Sequence, residues 1–194
     1  KKLMEMNGFR VVDCSLNDTN GGSFRVHVQK DTAPTSTYGT KPIRDVAEVR
    51  VNSILEWETH NYFPERGSYW DDFKDNMEDL KTDVVSFIKA EVAKGKTVYG
   101  YGASTKGNTL LQYFGLDSTL ITAIAERSPY KYGRVTVGTH IPIIPEAEMR
   151  ASKPDYLLIL PWHFISEFTE RESDFLEAGG KFIVPCPTFE VIGK

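Results

Sequence analysis

A glycine-rich loop with hydroxyl and lysine side chains lies between an apolar strand pattern and a helical pattern, in the stretch GYGASTKG at residues 100–107. The glycines would let the backbone turn tightly and come close to a ligand. A helix that begins near residue 105 would direct its free N–H groups and the positive end of its dipole at the loop. These features predict a site for an anion such as phosphate. The candidate binding residues are Gly100, Gly102, Ser104, Thr105, Lys106 and Gly107.

The spacing of this loop departs from the two best-known phosphate motifs. Thr105 stands where a third glycine would complete G-x-G-x-x-G, and Lys106 precedes Gly107 where a Walker A loop would have Gly-Lys-Ser/Thr. A strand-to-helix turn that is built from glycines and binds no ligand is therefore an alternative interpretation.

Other polar and aromatic residues follow the predicted strands at the same edge of the sheet, and ligands of open parallel sheets bind at the carboxyl ends of the strands. Glu126 lies about 20 residues beyond the glycines, where dinucleotide-binding folds place the acid that bonds a ribose hydroxyl. A nicotinamide-dependent oxidoreductase is thus an alternative from a different functional class, although the glycine spacing is broken and no substrate domain is evident. The candidate residues at this edge are Glu126, Arg127, His140, Trp162 and His163.

The elements that must position these residues alternate between strand and helix patterns from residue 97 onward. The stretch DYLLIL is continuously apolar, which is typical of a strand that is buried on both faces of a parallel sheet. We therefore predict an α/β fold, a Rossmann-like parallel sheet with helices on both faces. The predicted strands are 97–101, 119–125, 155–160 and 181–184, with a short strand in HIPII, and the predicted helices are 105–115, 145–152 and 164–178.

A β-hairpin and a helical segment are predicted ahead of this sheet. Residues 8–14 and 23–29 are rich in Val and Phe and flank an Asn-Gly turn signal. The polar residues 31–43 are interpreted as a linker, followed by a weakly periodic helix at 45–58. Apolar residues at steps of three or four predict a helix from Ser68 to Lys94 whose stripe packs in the core. The stripe consists of Trp70, Phe73, Met77, Leu80, Val84, Ile88 and Val92.

The composition gives no reason to expect a nucleic-acid or membrane partner. The net charge is −4, and no apolar run approaches the roughly 20 residues that span a bilayer. Cys14 and Cys186 form no metal pattern, and no pair of histidines has the spacing of metal ligands, so we predict no metal site. A cytoplasmic location is expected, since nothing indicates a disulfide framework.

Five stretches together resemble the nucleotide-sugar C-methyltransferases, a family that depends on S-adenosylmethionine and acts on deoxysugar nucleotides. In order, they are NDTNGGSFRVHV, GYGASTKGNTLL, GRVTVGTHIPI, KPDYLLILPWHF and GGKFIVPCPTFEVI. Members of that family have a cysteine-rich zinc-binding region, a class I methyltransferase domain and a Rossmann-like C-terminal domain. The resemblance implies that residues 1–31 are the terminal hairpin of a methyltransferase domain, 32–95 a linker and helical lead-in, and 96–194 the C-terminal domain.

The resemblance also implies that the cofactors bind elsewhere in a longer protein. The S-adenosylmethionine loop and the zinc cysteines do not occur in this sequence, and its first residues read as the middle of a longer chain. We therefore expect the missing N-terminal methyltransferase domain of the same protein to be a partner, and the chain alone to be inactive.

In the family, a base removes a proton next to the keto group of a 4-keto sugar nucleotide, and the resulting carbanion attacks the methyl group of S-adenosylmethionine. A His-Gly-Gly-Ser stretch supplies this base in relatives, and Asn20 stands at the histidine position here. An amide cannot serve as a general base, so Asp18 and His27 become further catalytic candidates, or the substrate or reaction differs. An Asn-Gly hairpin turn would also be present without any function. The candidate substrate contacts beside Asn20 are Gly21, Gly22 and Ser23.

The resemblance implies that the C-terminal domain binds the sugar nucleotide. The loop from Gly100 to Gly107 would hold the diphosphate or a neighbouring polar group, and its Ser104-Thr105 stands where relatives often have Ala-Pro. A non-catalytic nucleotide-binding domain, or a structural domain that binds nothing, is the remaining alternative.

Overall fold

The computed structural model describes residues 1–34, 39–62 and 68–193, except for the side chain of Ser68. The predicted linker at 31–43 and the segment 59–67 between the two predicted helices therefore lie partly outside the described residues. The chain forms two compact units, Lys1–Phe73 and Lys74–Lys194. The three-part division expected from the sequence stays a prediction.

The first unit contains a β-hairpin that packs against a helix. A short helix α1 (Lys2–Met6) precedes the antiparallel strands β1 (Phe9–Asn17) and β2 (Ser23–Lys30), which confirms the predicted hairpin. Helix α2 (Lys41–Tyr62) is longer at both ends than the predicted 45–58. Arg50 of α2 donates to both carboxylate oxygens of buried Asp13 in β1, at 3.0 and 2.7 Å. This bidentate pair joins the helix to the hairpin.

Within the described residues, the second unit contains one six-stranded sheet with helices on both faces, as predicted. Its strands are β3 (Val98–Tyr101), β4 (Ile124–Glu126), β5 (Ile143–Pro145), β6 (Tyr156–Ile159), β7 (Lys181–Val184) and β8 (Glu190–Ile192). Its helices are α3 (Ser68–Ala93), which begins in the first unit, α4 (Thr105–Phe114), α5 (Glu146–Ser152), α6 (Ile165–Arg171) and α7 (Ser173–Glu177). The strand order is β5-β4-β3-β6-β7-β8, parallel except for β8, which was not predicted.

Two apolar clusters show that both faces of the sheet are covered. Because successive strand residues point to opposite faces, Leu158 of β6 joins one cluster while Leu157 and Ile159 join the other. The first cluster contains side chains of α3 and α4, such as Ile88 and Leu111, and the second contains side chains of α5 and α6. This arrangement explains why β6 reads as a continuous apolar run.

The predicted core stripe of α3 is buried only along part of its length. Val84 and Ile88 are completely buried, but Trp70 and Phe73 are 58% and 54% exposed. The two exposed rings lie ahead of the part of α3 that covers the sheet, and Trp70 stacks on Tyr62 instead. The prediction that the whole stripe packs in the core was therefore wrong at its N-terminal end.

Two other predicted elements are shorter in the structure. The strand predicted at 119–125 begins only at Ile124 and ends at Glu126. Its first predicted residues form a turn, in which Asp117 accepts hydrogen bonds from the backbone and hydroxyl of Thr119. The helix predicted at 164–178 is divided at Glu172, which separates α6 from α7. The buried Glu172 carboxylate accepts hydrogen bonds from Tyr101 and Arg150, so its side chain is directed into the protein.

The close approach of α4 to the end of β6 depends on Gly107. A Cβ atom at this position would lie 2.5 Å from the Cβ atom of Leu160, far inside a normal contact. Both atoms belong to rigid parts of their residues, so no side-chain rotation would relieve the overlap. Gly107 is thus required by packing, whatever the loop binds.

We expect Gly107→Ala to lower the stability of the chain by about 1 kcal/mol or more. Overpacking costs about 1–3 kcal/mol, and the overlap with the Cβ atom of Leu160, at 2.5 Å, places this substitution in the upper part of that range. The cost therefore exceeds the gain of about 1 kcal/mol from replacing a helical glycine by alanine. Urea unfolding followed by circular dichroism measures this difference. The control Thr109→Ala, at an exposed position of the same helix, should change stability by less than about 0.5 kcal/mol. A Gly107→Ala protein as stable as the wild type would contradict the packing argument.

Candidate functional site

The Glu126 carboxylate joins the loops that follow β3 and β4 at the carboxyl edge of the sheet. One of its oxygens accepts the backbone N–H groups of Arg127 and Ser128, at 3.0 and 2.9 Å. The other accepts the N–H of Ala103 at 2.9 Å and the Lys131 ammonium at 3.1 Å. Four donors therefore surround a side chain that is 11% exposed. The prediction that Glu126 lies at this edge is confirmed.

These contacts keep Glu126 ionised and use up its hydrogen-bonding capacity. Burial alone would raise the pKa of the carboxyl group, but the hydrogen bonds from Ser128, Lys131 and Ala103 outweigh it and hold the pKa below its usual value. A carboxylate whose two oxygens each accept two hydrogen bonds has little capacity left for the two hydroxyls of a ribose. This geometry does not favour a dinucleotide at this edge.

The loop between β3 and α4 has the geometry of a capped helix N-terminus. Ser104 is the N-cap residue, and its hydroxyl oxygen accepts the N–H of Gly107 at 3.0 Å. Gly102 has a φ of +82°, and a Cβ atom there would lie 2.7 Å from the ring of Pro161. The glycines are therefore needed for the turn and for contact with the loop after β6.

A pocket of about 320 Å³ opens beside this helix terminus. Its lining is partly apolar and includes Leu111, Ile124, Ile143 and Leu160. Val135 and Val137 also line the pocket, and these two residues are 52% and 75% exposed to solvent. The strand order changes direction between β3 and β6, the kind of place where open α/β sheets bind ligands, and Leu160, which follows β6, borders the pocket on that side. The polar residues that line the pocket are Ser104, Thr105, Asn108, Lys131 and Thr136.

The lysine that lines the pocket is Lys131, whereas the motif GYGASTKG indicated Lys106. Lys131 lines the pocket, and its ammonium donates to the carbonyl of Ala103 at 2.8 Å and to Glu126. Lys106 is exposed on the first turn of α4 and is not among the lining residues. Lys131 and Thr136 were missed because both lie in a loop of ordinary composition, and only their contacts reveal them.

The turn after β6 places His163 beside the N-terminal turn of α4. Burial and the nearby positive charge of Lys106 lower the pKa of His163, so the imidazole is neutral at pH 7. Trp162 from the same turn is half-buried and packs against both apolar clusters, which gives it a role in the core.

Two buried polar atoms lack a hydrogen-bond partner among the residues that the structure describes. They are Oδ1 of Asn108, in the first turn of α4, and Nδ1 of His163. Such atoms are rare in folded proteins, because each costs about 1–3 kcal/mol. Both belong to the carboxyl edge, where unsatisfied groups commonly accompany a binding site.

The remaining candidates at this edge, Arg127 and His140, do not line the pocket. Arg127 is exposed, and its carbonyl accepts the Tyr132 hydroxyl at 3.0 Å. His140 is exposed, has a φ of +54° and does not line the pocket. Their roles in ligand binding stay predictions.

The hairpin residues belong to the first unit and form a turn between β1 and β2. Asn20 has a left-handed backbone, with φ 54° and ψ 32°, a conformation that asparagine tolerates better than most residues. The side-chain oxygen of Asn17 accepts hydrogen bonds from Thr19 and Ser23 and closes the turn. Asp18 and His27 are exposed, and His27 is paired across the strands with Asp13. The catalytic roles of Asn20, Asp18 and His27 stay predictions.

The described residues contain no cluster of three or more His, Cys, Asp or Glu side chains that fits a metal ion. A structural zinc site needs such a set, so these residues do not fit one. None of the described helices has the length and apolar character needed to cross a bilayer.

Comparison with known proteins identifies the family. The sequence profile of the C-methyltransferase C-terminal domain matches residues 18–187. The chain belongs to the C-methyltransferase C-terminal domain family. It is 35% identical over 192 residues to a protein named C-methyltransferase NovU from Streptomyces niveus.

The family resemblance stated from the sequence is thereby confirmed. The alignment covers 98% of this chain and 43% of the relative, so the chain spans less than half the length of that C-methyltransferase. The matched residues 18–187 include the candidate turn at Asn20 and the whole carboxyl edge described above.

We expect Glu126→Gln to destabilise the chain by about 1–3 kcal/mol at pH 7. The amide offers one acceptor where the carboxylate offers two, and it leaves the donors of Ala103 and Lys131 without a full set of partners. Thermal unfolding at pH 7 measures the loss. The exposed carboxylate of Glu170 supplies the control Glu170→Gln, for which less than about 0.5 kcal/mol is expected.

The stability difference between the wild type and Glu126→Gln should depend on pH. The folded-state pKa of Glu126 lies below the unfolded value of about 4.3, so its stabilisation is complete above about pH 5 and is lost as the pH falls through the lowered pKa. The stability gap between wild type and Glu126→Gln should therefore narrow in acid. A gap of constant size from pH 7 to pH 3 would contradict this assignment.

Proposed function

We propose that this chain is the substrate-binding portion of an S-adenosylmethionine-dependent C-methyltransferase that acts on a nucleotide-linked 4-keto deoxysugar. The observation that carries the proposal is the family match, which assigns the chain to the C-terminal domain of C-methyltransferases. The pocket at the carboxyl edge supports it, because the pocket combines a helix N-terminus and a lysine with apolar walls. Such a lining suits a nucleotide, which has both an anionic and an apolar part.

The state of Glu126 favours this proposal over a nicotinamide-dependent oxidoreductase. In dinucleotide-binding folds, the equivalent acid is free to bond the ribose hydroxyls. Here the carboxylate is surrounded by donors from its own two loops. The same argument applies to the ribose of S-adenosylmethionine, so we assign the methyl-donor site to another part of the longer protein.

In this proposal the methyl donor supplies the electrophilic methyl group, and this chain holds the sugar nucleotide that is methylated. The N-terminal turn of α4 and the neutral His163 would contact polar groups of the substrate. Removal of the sugar proton requires a base, for which the hairpin residues Asp18 and His27 are the candidates in this chain, while Asn20 would orient a hydroxyl or keto oxygen. The chain alone is expected to transfer no methyl group.

Direct binding to the isolated chain tests this proposal. Isothermal titration calorimetry with dTDP, UDP and GDP should show saturable binding of at least one nucleotide. NAD and NADP serve as the comparison ligands and should bind more weakly or not at all, because the Glu126 carboxylate has little acceptor capacity left for a ribose. Glucose, which has hydroxyls and no phosphate, is the negative control.

Three results would contradict parts of the proposal. Preferential binding of NAD or NADP would favour the oxidoreductase, and failure of every nucleotide to bind would favour a structural domain. Methyl transfer from labelled S-adenosylmethionine by the chain alone would disprove the placement of the donor site outside these residues.

A further inference from the structure

We propose that Lys131 is the residue that contacts the anionic group of the ligand in the carboxyl-edge pocket. This inference rests on the proposed function and goes beyond it, since it assigns the specific cation of the site. The sequence motif indicated Lys106, which follows the glycines directly. The contacts of the folded chain indicate Lys131 instead.

The hydrogen bonds of Lys131 leave it able to bind a ligand. An ammonium group has three N–H donors. Two of them are engaged, one by the carbonyl of Ala103 at 2.8 Å and one by Glu126 at 3.1 Å. The side chain is 45% exposed and lines the pocket, so the third donor is available to a group that enters there.

The two engaged donors also hold the ammonium in position before a ligand arrives. A free lysine side chain loses much rotational freedom when a ligand orders it, which weakens binding. Here Ala103 and Glu126 already fix the head group beside Ser104 and Thr105 at the start of α4. An anion would therefore meet a preorganised charge next to the positive end of the helix dipole.

Glu126 weakens the attraction of Lys131 for an anion but does not abolish it. The carboxylate accepts three backbone N–H groups in addition to the ammonium, so its negative charge is stabilised by several donors at once. It is also largely buried behind these donors, at 11% exposure, whereas Lys131 is the more exposed partner. The partner of this ion pair that lines the pocket is therefore Lys131, through its ammonium group.

Lys106 is placed differently, although it lies on the same helix turn as Thr105. It is exposed and does not line the pocket, and its charge acts on His163, whose pKa it lowers together with burial. Its charge can raise the local concentration of an anion, but an exposed charge is screened by salt within about 10 Å at 0.1 M. We therefore expect a smaller contribution from Lys106.

Variants of the two lysines test the assignment, with UDP, dTDP and GDP as probes in calorimetric titrations at low and high ionic strength. Lys131→Met should raise the Kd of the nucleotide that binds wild type by about tenfold or more and reduce the salt dependence of binding. Lys131→Arg keeps the charge and should bind within a few-fold of wild type. Lys106→Met should have a clearly smaller effect than Lys131→Met, and Lys89→Met, on the exposed face of α3, is the charge-matched control.

The wild-type chain supplies a second measurement that needs no variant. Mild acetylation followed by mass spectrometry should show Lys131 protected several-fold by bound nucleotide, while Lys106 and Lys89 are modified at unchanged rates. This readout remains valid even where Lys131→Met folds poorly.

The outcomes separate this inference from the proposed function. Nucleotide binding that is unchanged in Lys131→Met, with no protection of Lys131, would overturn the inference and leave the proposed function standing. A larger loss in Lys106→Met than in Lys131→Met would also overturn it. A wild-type chain that binds none of the three diphosphates would overturn both.

Discussion

The carboxyl edge of the sheet depends on one partly buried carboxylate that connects two loops. Glu126 accepts hydrogen bonds from Ala103 after β3 and from Arg127, Ser128 and Lys131 after β4. The start of α4 and the loop that carries Lys131 are therefore held at a fixed separation, and the pocket lies between them. These four contacts leave the carboxylate little capacity for a ribose. The hydrogen bond from Lys131 to the carbonyl of Ala103 engages a second lysine donor, so one donor remains for the anion of the proposed ligand.

Much of the fold could be predicted from the sequence, because the relevant signals are local and strong. The apolar run in β6 and the glycine-rich turn before α4 indicated a parallel sheet with both faces covered, and the Asn-Gly signal indicated the hairpin. The errors occurred where tertiary contacts override local pattern. Trp70 and Phe73 continue the helical stripe but lie ahead of the part that covers the sheet, and Glu172 divides a helix because its side chain is directed into the protein.

The site was only partly predictable for a related reason. The motif GYGASTKG correctly indicated a helix N-terminus at the carboxyl edge, and Glu126 was correctly placed beside it. The chemical roles were harder to assign, because they depend on which partners each side chain finds. Gly107 is required by its contact with Leu160, and Lys131 is identified only by its contacts with Ala103 and Glu126. Neither set of contacts could be predicted from the spacing of residues in the sequence.

The central claim is that the pocket between α4 and the loop after β4 binds the nucleotide part of a sugar nucleotide. A crystal structure of the chain soaked with a nucleotide sugar tests this most directly. We predict that the diphosphate lies at the N-terminal turn of α4, within hydrogen-bond distance of Ser104 or Thr105 and of the Lys131 ammonium. A nucleotide found at a different place on the chain, with this pocket empty, would contradict the account.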